Sequence, residues 1–172
     1  MCLKSGEEKK PILGQEIRLT KKISNKELFL IQAFYRITCI YPKNVIHHQN
    51  FILFFVKSAS YFRCKQKLKL LRQKLVSKKI LIIRHETTLL KLIFGLFPDI
   101  FIDDISIKIH EQEKILLIIV KVLTYKDRMI AIGGKGTYIK MLNEIINKFF
   151  KFEFPCKKIT VKCEVNLPRN IF

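Results

Sequence analysis

The chain has 172 residues and carries 33 Lys and Arg against 14 Asp and Glu, a formal net charge of +19. Such an excess selects for an anionic partner, either nucleic acid or an anionic membrane surface. Its five cysteines are odd in number, widely spaced and without a Cys-x-x-Cys pair, which argues against a disulfide framework or a zinc site.

Near the N-terminus, Glu7, Glu8 and Glu16 argue against a cleavable presequence starting at Met1. Phe29–Tyr35 and Val45–Val56 are strongly apolar. Arg36, Pro42-Lys43 and His47-His48-Gln49-Asn50 interrupt them before any stretch reaches the ~20 residues of a membrane span, so no stable membrane insertion is expected. The adjacent pair His47-His48 cannot converge on one ligand and is expected in a surface loop. Leu28–His85 holds twelve Lys or Arg and no acid, whereas Asp99–Phe172 holds thirteen basic and nine acidic residues. The acid-free, aromatic and basic segment has transit-peptide character and points to a mitochondrial or plastid protein, with the cytoplasm as the alternative.

Arg63–Lys79 places Leu68, Leu71 and Leu75 on one helical face among eight cations, so an amphipathic basic helix is expected. It suits RNA phosphates, a membrane surface or packing on a neighbouring core, and RNA is preferred, with Lys67, Lys69, Arg72 and Lys74 as accessory phosphate contacts. Residues 1–79 are thus expected to be a basic extension, partly helical or poorly ordered.

From residue 80 the pattern is sharper. Arg84–Phe97 has helical spacing that Pro98 ends. Asp104–His110 alternates as a strand, with Ile105, Ile107 and Ile109 on one side. Ile115–Leu123 is a β-branched run suited to a central strand. A short helix then leads into Gly133-Gly134-Lys135-Gly136. Thr137–Phe150 is an amphipathic helix, and Lys158–Val165 alternates with Ile159, Val161, Cys163 and Val165 inward.

A Gly-x-x-Gly bend between two helices lets the backbone approach a phosphate while the next helix directs its first amides outward. That order of helix, strand, strand, helix, Gly-x-x-Gly, helix, strand is the layout of a type II KH domain. An α+β fold is therefore expected over residues 80–168, with 169–172 as a tail.

The segment Phe97-Pro98-Asp99-Ile100-Phe101-Ile102-Asp103-Asp104-Ile105-Ser106-Ile107-Lys108-Ile109, the stretch Met129–Lys140 and the strand Cys156–Val165 resemble the C-terminal KH domain of Era-type GTPases, over about half the chain. The resemblance implies binding of single-stranded small-subunit ribosomal RNA during subunit assembly. It places Gly133, Gly134, Lys135 and Gly136 on phosphate, with Arg128 beside them; the residue pattern itself adds Lys140 as flanking charge and Ile130 and Ile132, with the edge of the sheet, as the apolar floor for bases. The family's Gly-Lys-Gly-Gly reads Gly-Gly-Lys-Gly here, which shifts the cation by one place. No phosphate-loop motif or guanine-reading Asn-Lys-x-Asp occurs, so neither GTP hydrolysis nor any other enzymatic activity is expected, nor any cofactor or metal. A separate GTPase subunit stays open as a partner, as does a ribosomal particle. The alternatives are a structural KH protein of the small ribosomal subunit and a degenerate KH module that docks a protein. A transcription-factor KH of the NusA type shares the glycine loop, but the Phe-Pro-Asp entry resembles Era more closely.

Overall fold

The computed structural model describes residues 12–76, 78–110 and 112–166; Cys2, Glu7, Glu8 and the expected tail 169–172 lie outside them. After strand β1 (Ile17–Leu19), helix α1 (Asn25–Thr38) opens where sequence chemistry requires it. Ser24 accepts the Glu27 amide, and the Glu27 carboxylate accepts the Ser24 amide at 3.0 Å, a reciprocal cap. Strands β2 (Asn44–His48) and β3 (Phe51–Val56) form a hairpin, followed by α2 (Tyr61–Gln66), α3 (Leu68–Lys74) and β4 (Lys79–Arg84). In this first unit β3 is central, antiparallel to β2 and parallel to β4.

The second unit repeats the order: α4 (Leu89–Leu96), β5 (Asp104–His110), β6 (Ile115–Val122), α5 (Tyr125–Ile132), a glycine turn and α6 (Thr137–Phe149). A short β7 (Phe150–Phe152) precedes β8 (Lys158–Val165). Here too the middle strand, β6, is antiparallel to β5 and parallel to β8. The molecule is therefore an α+β protein built from two units of like topology. None of its described helices is long and apolar enough to cross a membrane.

Four sequence expectations are corrected. The extension is not a loose helical arm, because residues 25–84 form a complete unit with its own buried cluster. The single helix expected over Arg63–Lys79 is two short ones broken at Lys67 (φ −89°, ψ 1°), and Lys79 already belongs to a strand. The helix expected from Arg84 starts only at Leu89, since Ile80, Ile82 and Ile83 are β-branched and fill a strand slot beside β3. His47 and His48 likewise sit in β2 rather than in a loop.

The two units share their packing. Strand β3 is buried at every position, and its side chains alternate between two neighbours. Ile52, Phe54 and Val56 meet Leu30, Phe34, Cys64 and Leu71 of the first unit's own helices. Phe51, Leu53 and Phe55 turn the other way, into one cluster with Leu92, Ile93, Leu142 and Ile145 of the second unit. Burying each such side chain contributes about 1.5–3 kcal/mol, so the seam is a core rather than a loose contact. Its edges are fastened by the β1–β7 ribbon, by Ile17 N–H donating to Thr87 O at 2.8 Å, and by the His48 imidazole 2.6 Å from the Glu144 carboxylate on α6.

Candidate functional site

The glycine turn is built by conformational necessity. Thr124 caps α5 by accepting the Asp127 amide at 3.0 Å, and the helix runs until Gly133, whose φ of +75° and ψ of 168° end it. A side chain at Gly133 would lie 2.7 Å from Tyr138 Cβ, so both backbone angle and space demand glycine there. Lys135 (φ 53°) and Gly136 (φ 73°) continue the turn in the left-handed region. Helix α6 then starts with no side-chain cap, unlike α1 and α5. Gly134 faces open space, with nothing within 4 Å of where a Cβ would stand, and Lys135 beside it is exposed. The turn thus presents backbone and one cation outward at the positive end of a 13-residue helix.

Beside it lies a cleft of roughly 420 Å³ between the two units. Ile130, Ala131, Gly133, Thr137 and Tyr138 form one wall. Phe51, Ile80 and Leu81 form the other, and Arg72, Lys78 and Lys79 rim it. The cations are held in place: Arg72 donates to Ile80 O at 3.4 Å, Lys78 to Gln49 O at 3.2 Å, and Lys79 Nζ stands 5.4 Å from the Phe51 ring centroid. Phe97, Pro98, Asp99 and Ile100 close the far end, and Asp99 is the one acid among the described lining residues. Tyr138 is half-buried between Phe51 and Phe97 and donates its hydroxyl to Leu96 O. Burial, and secondarily the Asp99 charge, raise its ionisation far above the ordinary phenol range, so it remains a neutral donor.

The sequence-predicted residues separate here. Gly133, Ile130 and Arg72 come together on the cleft. Gly134, Lys135 and Gly136 complete the same turn, and the Lys140 stem lies 3.8 Å from the Cβ position of Gly136. Arg128 points elsewhere, donating to Cys163 O on β8 at 3.2 Å. Ile132 packs against the core rather than flooring the cleft. Lys67, Lys69 and Lys74 are exposed on the first unit without lining the cleft.

The sheet edge expected to floor the site is already occupied. The Asn143 carboxamide pairs with Val161 N–H and C=O at 2.7 and 3.0 Å, and Asn147 does the same for Ile159 at 2.8 and 2.7 Å. These side chains stand in for a missing strand and satisfy the β8 backbone. The second wall therefore comes from the first unit. Phe51, Lys78 and Lys79 escape a reading of the sequence because a site shared between two units leaves no contiguous motif.

Chemically the cleft offers apolar surface, fixed cations and an outward helix terminus, which suits a flat apolar group attached to an anion. Among the described residues no cluster of His, Cys, Asp and Glu could hold a metal ion.

No protein-family model matches the chain, and no curated protein matches it. Among solved structures it is similar to one described as the crystal structure of APE1850, at 25% identity and a TM-score of 0.58, over 81% of this chain and all of that one. Coverage of that extent exceeds either unit alone, so the likeness is one of the two-unit fold.

Proposed function

We propose that this chain is a non-enzymatic RNA-binding protein, made of two type II KH-like units packed as one body, that holds a single strand in the cleft between them. The observation that carries it is the open glycine turn before an uncapped helix, opening on an apolar cleft rimmed by Arg72, Lys78 and Lys79. Phosphates sit at Gly134–Gly136 and Lys135, where backbone amides and the helix terminus favour negative charge. Bases lie against Ile130 and the Phe51 and Leu81 side of the cleft, and single-stranded RNA supplies such unstacked bases. The target implied by the Era resemblance is small-subunit ribosomal RNA.

A second reading follows from the glycine loop, which the transcription-factor KH of the NusA type shares: a factor acting on nascent RNA. RNA recovered by crosslinking in cells separates the two: mature-region ribosomal sequence points to assembly, and leader or intergenic transcripts point to transcription.

The binding test is Gly134→Asp with Lys135→Asp, which puts two carboxylates where phosphate is held. Both positions are exposed and the Gly134 site is empty of neighbours, so thermal unfolding should hardly shift while affinity for single-stranded RNA collapses. Unchanged affinity would remove the turn from the site.

A further inference from the structure

The segment Phe97–Ile100 that ends the cleft has a second hollow, of roughly 670 Å³, on its other side. Two apolar rings stand in water there, Phe62 on α2 at 67% exposure and Phe94 on α4 at 49%. Isolated exposed rings are ordinary, but these two line one concave surface with cations among them. The Arg84 guanidinium lies 4.4 Å from the Tyr61 ring centroid and 5.3 Å from that of Phe62, so it braces the aromatic wall while keeping its charge. Lys91 is exposed beside Phe94 on the other wall. Glu86 is engaged by the Ser58 hydroxyl at 3.0 Å. On the ridge between the two hollows, Asp99 is paired with Lys65 at 3.7 Å.

Resting on the RNA-binding proposal above, we infer that this hollow is a second subsite for the same single strand. The strand leaves the glycine-loop cleft, crosses the Phe97–Ile100 ridge and stacks bases on Phe62 and Phe94, with Arg84 and Lys91 on its phosphates. Sequence-tolerant single-strand sites combine these two elements, aromatic faces for the bases and a basic track for the backbone. Charge complementarity picks the occupant, since cations outnumber acids in both hollows: Arg72, Lys78 and Lys79 against Asp99 in the first, and Lys65, Arg84 and Lys91 against Glu86 and Asp99 in the second. A continuous path also gives the first unit a binding role that its helix junction, which has Lys67 instead of a glycine turn, does not supply.

The experiment compares fluorescently labelled oligouridine RNA of about four nucleotides, the footprint of one glycine-loop groove, with RNA of about ten, on the full chain. Phe62→Ala with Phe94→Ala should weaken the longer RNA by at least about five-fold to a hundred-fold, the loss expected when stacking of one base is removed. The short RNA should bind both proteins alike, and unfolding temperature should be unchanged. Lys91→Glu, on the surface of α4, should also weaken only the longer RNA, and Asp99→Asn should tighten it at low salt. Equal affinity of the longer RNA for the wild type, the double variant and Lys91→Glu would overturn the second subsite. Failure of the glycine-loop site registers separately, as short-RNA binding that Gly134→Asp with Lys135→Asp does not reduce.

Discussion

The two units share an element order and a strand arrangement yet differ in what they leave open. In the first, the sheet is covered on both faces, by its own helices and by the second unit, and the α2–α3 junction is closed without glycine. In the second, the helix junction is a glycine turn open to solvent, and Lys108, Lys158 and Lys162 stand exposed on the sheet. Charge divides the same way, with the acid-free stretch in the first unit and a smaller basic excess, thirteen against nine over Asp99–Phe172, in the second. One topology thus closes its helix junction and buries both sheet faces in one copy, and opens its helix junction to solvent in the other.

The largest expected effect tests whether the units are one body. Phe55→Ala deletes a ring that is buried against Phe150 across the seam, and should cost about 3–5 kcal/mol. Chemical denaturation should still show one transition, at lower denaturant, whether followed by near-ultraviolet or far-ultraviolet signals. Two separated transitions would break the shared-core account.

Next comes a contrast within the turn. Gly133→Ala meets Tyr138 and a positive φ, and should destabilise by about 1–3 kcal/mol, whereas Gly134→Ala should be nearly silent in melting experiments. Equal effects would mean the turn is not shaped as described.

The cationic wall predicts a smaller change. Lys78→Gln with Lys79→Gln should lower the salt dependence of RNA binding by roughly 0.7 in log–log slope for each phosphate that is no longer neutralised. An unaltered slope would assign phosphate neutralisation to the second unit alone.

The smallest effect is a pH dependence seated in the first unit. Burial pushes the Glu27 carboxyl up, but hydrogen bonds from Lys21, Ser24 and the His47 amide outweigh it, and the net shift is downward. Burial, then the neighbouring cations Lys78 and Lys26, lower His47. Both groups bind protons more readily when unfolded, so stability rises with pH through each window. Below the ordinary histidine range the His47 contribution fades first, and below the ordinary carboxylate range the Glu27 contribution follows as pH falls through its depressed value. Melting temperature should therefore fall on acidification, and Glu27→Gln should flatten the lower part of that fall. A steeper fall in the variant would contradict the assignment.

The same contrast explains what could be read from sequence. Strands β5 and β8 and helix α6 keep one face toward solvent, so alternation and helical spacing mark them, and their ends fall within a residue of those expected. The glycine turn was legible because Gly133 and Gly136 stand where φ is positive, a region that favours glycine over other residues. The first unit was not legible. Strand β3 is buried on both faces and shows no alternation, and α2 and α3 are six and seven residues long, too short for a periodic signal and continuous in charge with the run into β4. The cleft was invisible for a different reason, since its walls are more than 80 residues apart in sequence at Phe51 and Tyr138 and meet only through the seam. The filling of the β8 edge by Asn143 and Asn147 carries no sequence signature beyond two asparagines one helical turn apart.

The most direct measurement of the central claim is photo-crosslinking of short 4-thiouridine RNA to the full chain, with the attached peptides sequenced. A strand held between the units predicts crosslinks on both walls, at Phe51 or the Lys78–Leu81 stretch of the first unit and around Ile130–Tyr138 of the second. Crosslinks confined to the open sheet face of the second unit, around Lys108 and Lys162, would contradict it.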